Sequence, residues 1–177
     1  MAILVSNQPF FSTPTKVTVN GREVSVKADQ IIVWVSLVEG GTGRLDSGTP
    51  RFPAILDTGH THNFSIQEQQ LIEWAGVDPR VLTKIGEIRV GKDRLPLFEA
   101  DVWLYRNVAG KTDLSAGRAP YCVELDAGVA VYPRATDTAP RLPLLGLRAM
   151  RLARFRLGID CDALRLTIRT ATRFRVF

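Results

Sequence analysis

Only two cysteines, Cys122 and Cys161, occur in the chain, far apart and without Cys-x-x-Cys or Cys/His ligand spacing. That excludes a disulfide framework and a zinc site built from neighbouring ligands, and both are expected as buried thiols. Histidine is equally scarce: His60 and His62 are the two in the chain. They could share one strand face, but no third nitrogen or sulfur ligand has suitable spacing, so no metal and no cofactor is expected. No run of about 18 apolar residues occurs, and residues 1–9 lack the basic start and long apolar core of a secretory signal. The expectation is a soluble, cytoplasmic protein with no membrane partner. There is no internal repeat and no long linker.

What remains is a folding composition: 177 residues, 45% apolar and 23% charged. The net charge of +5 is uneven, with Arg148, Arg151, Arg154, Arg156, Arg165, Arg169, Arg173 and Arg175 crowded near the C-terminus against Asp160 and Asp162. These arginines alternate with apolar residues, as the wet faces of helices or strands do. Trp34, Trp74 and Trp103 fall at strand or helix positions and read as core. With no exposed aromatics interleaved among the arginines, nucleic acid is a disfavoured partner.

Residues 17–26 alternate around Asn20-Gly21, the dipeptide that tolerates positive φ at both turn positions, and so predict a hairpin. Further strands are expected at 31–38 and 52–56, separated by a Gly/Ser/Thr-rich loop. Residues 66–75 have helical spacing, with Ser65 as N-cap, Glu68 three residues on and Gly76 as the stop. A second hairpin is expected around Gly91-Lys92-Asp93, followed by strands at 102–104 and 121–131, a short helix within 144–155, and strands at 164–169 and 174–177. The sum is an all-β class with one or two short helices. Residues 1–27 form an N-terminal hairpin extension and 28–177 the main domain.

The chemistry concentrates at Ile55-Leu56-Asp57-Thr58-Gly59: a carboxylate at the end of an apolar strand, then a hydroxyl, then a residue that admits another backbone. Asp46-Ser47-Gly48 has the same form, but glycine-rich residues precede it and no helix follows, so it is expected as an exposed turn.

Asp57-Thr58-Gly59 continues through Thr61-His62-Asn63-Phe64-Ser65, a segment that resembles the active site of retrotransposon-type retropepsins. The glycine-tipped hairpin at Gly91 stands where that family has a flap, and Leu144-Leu145-Gly146 resembles its apolar pair and glycine before a helix. The resemblance implies a closed, barrel-like acid protease fold of a single lobe. Its active site would lie on a two-fold axis, so the partners would be a second copy of the chain and a peptide or protein substrate. It implies that Asp57, Thr58 and Gly59 carry catalysis and that His60, Val90, Gly91, Lys92 and Leu145 contact substrate. The activity implied is that of a homodimeric aspartic endopeptidase. The alternative is a catalytically inactive peptide-binding dimer on the same fold.

Two departures carry consequences. His60 replaces the family's small residue, narrowing the cleft and, if protonated, favouring ionised carboxylates. Leu147-Arg148-Ala149 places an arginine one position later than the family does. Chain termini in that family supply strands to the dimer interface, a role expected of residues 165–177.

Overall fold

The computed structural model describes residues 1–133 and 141–171. It opens with a strand that the periodicity does not announce, β1 (Ala2–Pro9), followed by the predicted hairpin of β2 (Thr15–Val19) and β3 (Arg22–Val26). Asn20 at φ 48° and Gly21 at φ 77° supply the two left-handed residues of its turn. β4 (Ile32–Glu39) and β5 (Phe52–Asp57) follow, and between them Asp46-Ser47-Gly48 is an exposed turn closed by the Thr49 amide on the Asp46 carbonyl.

β6 (Phe64–Gln67) runs straight into α1 (Glu68–Glu73). The cap is not Ser65, which is buried in the strand, but Gln67, whose amide donates to Gln70 Oε1 at 3.2 Å. Gly76, at φ 71°, terminates the segment as predicted. A 3₁₀ turn at Pro79–Val81 leads to the hairpin of β7 (Lys84–Val90) and β8 (Asp93–Phe98), tipped by Gly91, and then to β9 (Ala100–Leu104).

The single strand expected over 121–131 is two, β10 (Tyr121–Val123) and β11 (Val129–Tyr132). The break falls before Gly128, which has φ 63° and lies so close to the Phe98 carbonyl that any Cβ would collide with it. The described chain finishes with β12 (Leu144–Gly146), α2 (Leu147–Leu152), β13 (Phe155–Asp160) and β14 (Arg165–Thr170). The strand expected at 174–177 lies outside the described residues.

The mostly β class with short helices is therefore as predicted. Nine strands form one sheet in the order β10-β9-β4-β5-β12-β6-β11-β8-β7, three form a second in the order β1-β14-β13, and β2 pairs with β3 alone. The expected closed barrel is not formed by these pairings, because the large sheet retains two edges, β10 and β7. No helix among the described residues is long and apolar enough to cross a membrane.

The N-terminal extension is not a separate unit. Leu4 and Val5 of β1 and Val19 and Val26 of the hairpin join one core with Val33, Phe52, Phe64, Leu145 and Ile168. Strand β14 is the middle strand of its sheet, bonded on both sides, so the interface role expected of residues 165–177 has no free edge at Arg165–Thr170. The buried-thiol expectation also fails: Cys161 is exposed and Cys122 half-buried, both free. Burial, with the Asp101 and Glu124 carboxylates nearby, pushes the Cys122 thiol up to about 11, so it is an unreactive thiol at neutral pH.

Candidate active site

Three short strands build the site. β12 inserts between β5 and β6, parallel to the first and antiparallel to the second, with Gly146 in register with Asp57 and Leu145 with both Leu56 and Phe64. Phe52 at the start of β5 and Phe64 at the start of β6 are wholly buried, and each such burial contributes about 1.5–3 kcal/mol. The loop from Asp57 to Asn63 is thus anchored at both ends by core.

It is also stapled along its length. The Gly146 amide donates to the Asn63 carbonyl at 2.9 Å and the Leu147 amide to the His60 carbonyl at 2.8 Å. Gly146 is required by contact rather than by φ: a Cβ there would strike the His62 carbonyl and come within 2.7 Å of the His60 carbonyl. Within the loop the Gly59 amide donates to Asp57 Oδ1 at 2.9 Å, and a Cβ on Gly59 would crowd that oxygen at 3.3 Å. The carboxylate is therefore oriented by backbone, with Oδ2 left to act.

A second brace lies behind the loop. Arg148, on α2, grips Asp126 in a fork, Nε to Oδ1 at 2.8 Å and Nη2 to Oδ2 at 2.7 Å, and Asp126 Oδ1 accepts from Asn63 Nδ2 at 3.0 Å. Asn63 is 1% exposed and its Oδ1 has no partner. The Arg148 guanidinium, helped by the Asn63 amide, holds the Asp126 carboxyl down at about 2. The displaced arginine braces the site indirectly, through Asp126 and Asn63.

Asp57 and Thr58 open into a cleft of about 360 Å³, lined also by Ile31, Leu144, Arg141 and Ile159. Asp57 is half-buried, Thr58 and Gly59 exposed. His60 is half-buried with Nε2 shut away from solvent and unpartnered, its ring edge-on to His62 at 5.3 Å. Burial lowers its pKa below the usual histidine range, His62 and Arg141 push the same way, and Asp57 opposes them. The ring is biased to its neutral form, which weakens the cationic influence on the carboxylates that the sequence suggested.

The remaining predicted residues separate into two groups. Val90, half-buried at the end of β7, and the exposed turn residues Gly91 and Lys92 are not among the residues lining the cleft. Leu145 is 0% exposed and is not among the residues lining the cleft; Leu144, one residue earlier and on the opposite strand face, lines it instead. Arg141 and Ile159 were also missed, since neither belongs to a motif. A larger groove of about 850 Å³ runs between the β2–β3 hairpin and β4, past Phe11, Trp34 and Arg51. Its one carboxylate, Asp113, sits in a loop, whereas Asp57 ends a buried strand.

Comparison of the chain with family models, with curated proteins and with solved structures returned no match.

Proposed function

We propose that the chain is one subunit of a homodimeric aspartic endopeptidase, a single lobe of the retropepsin-like acid protease fold. The observation that carries this reading is the strand-end carboxylate Asp57, set in register with Gly146 of an inserted strand and opening with Thr58 into the Ile31, Leu144 and Ile159 cleft.

One carboxylate is half a catalyst. Brought to about 3 Å, Asp57 and its copy cannot both ionise and share one proton. The ionised member takes a proton from water as the water oxygen attacks the scissile carbonyl carbon, while the protonated member donates to the carbonyl oxygen. Collapse of the tetrahedral species then breaks the C–N bond as the amine leaves with a proton from the dyad. In this reading Thr58 steadies the dyad across the two-fold axis, Gly59 presents backbone to substrate, and the β7–β8 hairpin tip at Val90, Gly91 and Lys92 folds over as a flap. Ile31, Leu144 and Ile159, set among Asp29, Gln30 and Arg141 in the cleft lining, suit an extended segment with an apolar side chain beside the cut bond.

The test is incubation with a mixed peptide library between pH 3 and 7, beside Asp57→Asn, with products read by mass spectrometry. Cleavage that disappears in the variant is expected. A second reading rests on His60, whose bulk stands where the family has a small residue: a dimer that binds peptides without cutting them. A confirmed dimer that cuts nothing but retains labelled peptides would favour it.

A further inference from the structure

We propose that two copies join edge to edge along β13, antiparallel, with the two-fold axis through Gly158. The inference rests on reading Asp57 as half of a dyad and names the surface that completes it. β13 pairs with β14 on one side, and among the described residues nothing pairs with its other side. A free edge of this kind, bearing neither proline nor lysine, is a template for another strand.

Symmetry limits the register. Opposed residues in an antiparallel ladder alternate between hydrogen-bonded and non-bonded pairs, so a two-fold axis relating identical strands passes through a residue facing its own copy. Placing Gly158 there sets Arg156 opposite Asp160 of the second copy and Leu157 opposite its Ile159, each pair occurring twice. Centring on Leu157 would set Arg156 against Gly158, and centring on Ile159 would set Asp160 against Gly158. Of these neighbouring registers, only the one centred on Gly158 matches both charges within the strand.

Within one copy those charges are poorly served. Arg156 faces Arg169 across the β13–β14 ladder, a like-charge pair that a second carboxylate would relieve. Asp160 faces Arg165, whose Nη1 donates instead to the Asn7 and Gly110 carbonyls. Asp160 has no ion pair among the described residues; its Oδ1 accepts the Asp162 and Ala163 amides at 3.1 and 2.8 Å, leaving Oδ2 for a guanidinium. The neighbour of the axis also touches the site: Ile159, 43% exposed, lines the Asp57 cleft. An axis one residue away sets the two clefts beside each other.

The experiment uses the full chain, sedimented across a concentration range beside Arg156→Asp and Asp160→Arg, with folding checked by circular dichroism. Each variant alone sets like charges face to face and is expected to weaken self-association roughly tenfold or more. Mixing the two variants restores opposite charges at both pairs, so the mixture is expected to recover the dimer. Independently, Gly158→Cys in a Cys161→Ser background sets two thiols opposite each other at a spacing a disulfide spans. The residue has room for this change, since an added Cβ meets only the Thr167 carbonyl, at 4.0 Å. Rapid oxidation to a covalent dimer is expected. A native dimer that survives both charge variants and does not cross-link at Gly158→Cys overturns this interface while leaving the dyad reading standing. A chain that is active and monomeric at every concentration overturns both.

Discussion

Gly146 shows how a residue without a side chain can fix a carboxylate. The carbonyls of His60 and His62 close over its Cα, so Gly146→Ala must push the Asp57–Asn63 loop away from β12. The expected cost is about 1–3 kcal/mol in urea unfolding, together with loss of any cleavage activity, because the displaced atoms are backbone. Asp126 and Arg148 separate packing from charge at the same site. Their pair is more than a third exposed on both sides, so water screens it and Arg148→Ala should cost little stability. Asp126→Ala strands the buried Asn63 amide and should cost about 1–3 kcal/mol; equal losses in the two variants would refute this brace. For His60 the sign follows from its lowered pKa. Above the unfolded-state value of about 6.5 both states are neutral and stability is unaffected. As pH falls below it the unfolded chain takes the proton first, and stability declines until the folded ring is also protonated. Unfolding measured at pH 7.5 and pH 5 should therefore show a larger loss for the native chain than for His60→Gln.

Among the elements, the β7–β8 hairpin is the one whose tip and body can be tested apart. Gly91 holds φ 62° with open space around it, so Gly91→Val strains only the turn, at about 1 kcal/mol. If the hairpin is a flap, peptide turnover should fall by much more than that stability change explains, and an unchanged KM and kcat would remove the flap role. Elements were legible where one residue type has few alternatives. Asn20-Gly21 declared its hairpin because two consecutive positive φ values admit little else. β1 was hidden because register shifts between Ile3 and Val5 and between Val5 and Gln8 break the period of two on which strand reading depends. β13 was hidden because Gly158 interrupts its alternation. Leu145 was assigned to substrate from the motif alone, and only the direction of its neighbour Leu144 in β12 shows which of the two faces the cleft.

For the molecule as a whole, a site completed by a second copy, as proposed, would tie activity to concentration. Cleavage per chain should rise with protein concentration and level off as the dimer saturates, a dependence that a self-sufficient monomer cannot show. At this scale the sequence disclosed the mostly β composition and the position of the acid. The arrangement of the sheets depends on pairings between distant segments, for which a single sequence carries little signal. Those pairings also govern the order of assembly. β1 pairs with β14, and the strand that completes the Asp57 loop is contributed by Leu144–Gly146, far downstream of the acid it seats. A chain emerging from the ribosome has made Asp57 long before it can seat it, and contacts of such long sequence separation place folding in the slower range, milliseconds to seconds. On the proposed reading, such a protease stays inert until Leu144–Gly146 has been made, because its acid has no seat before then.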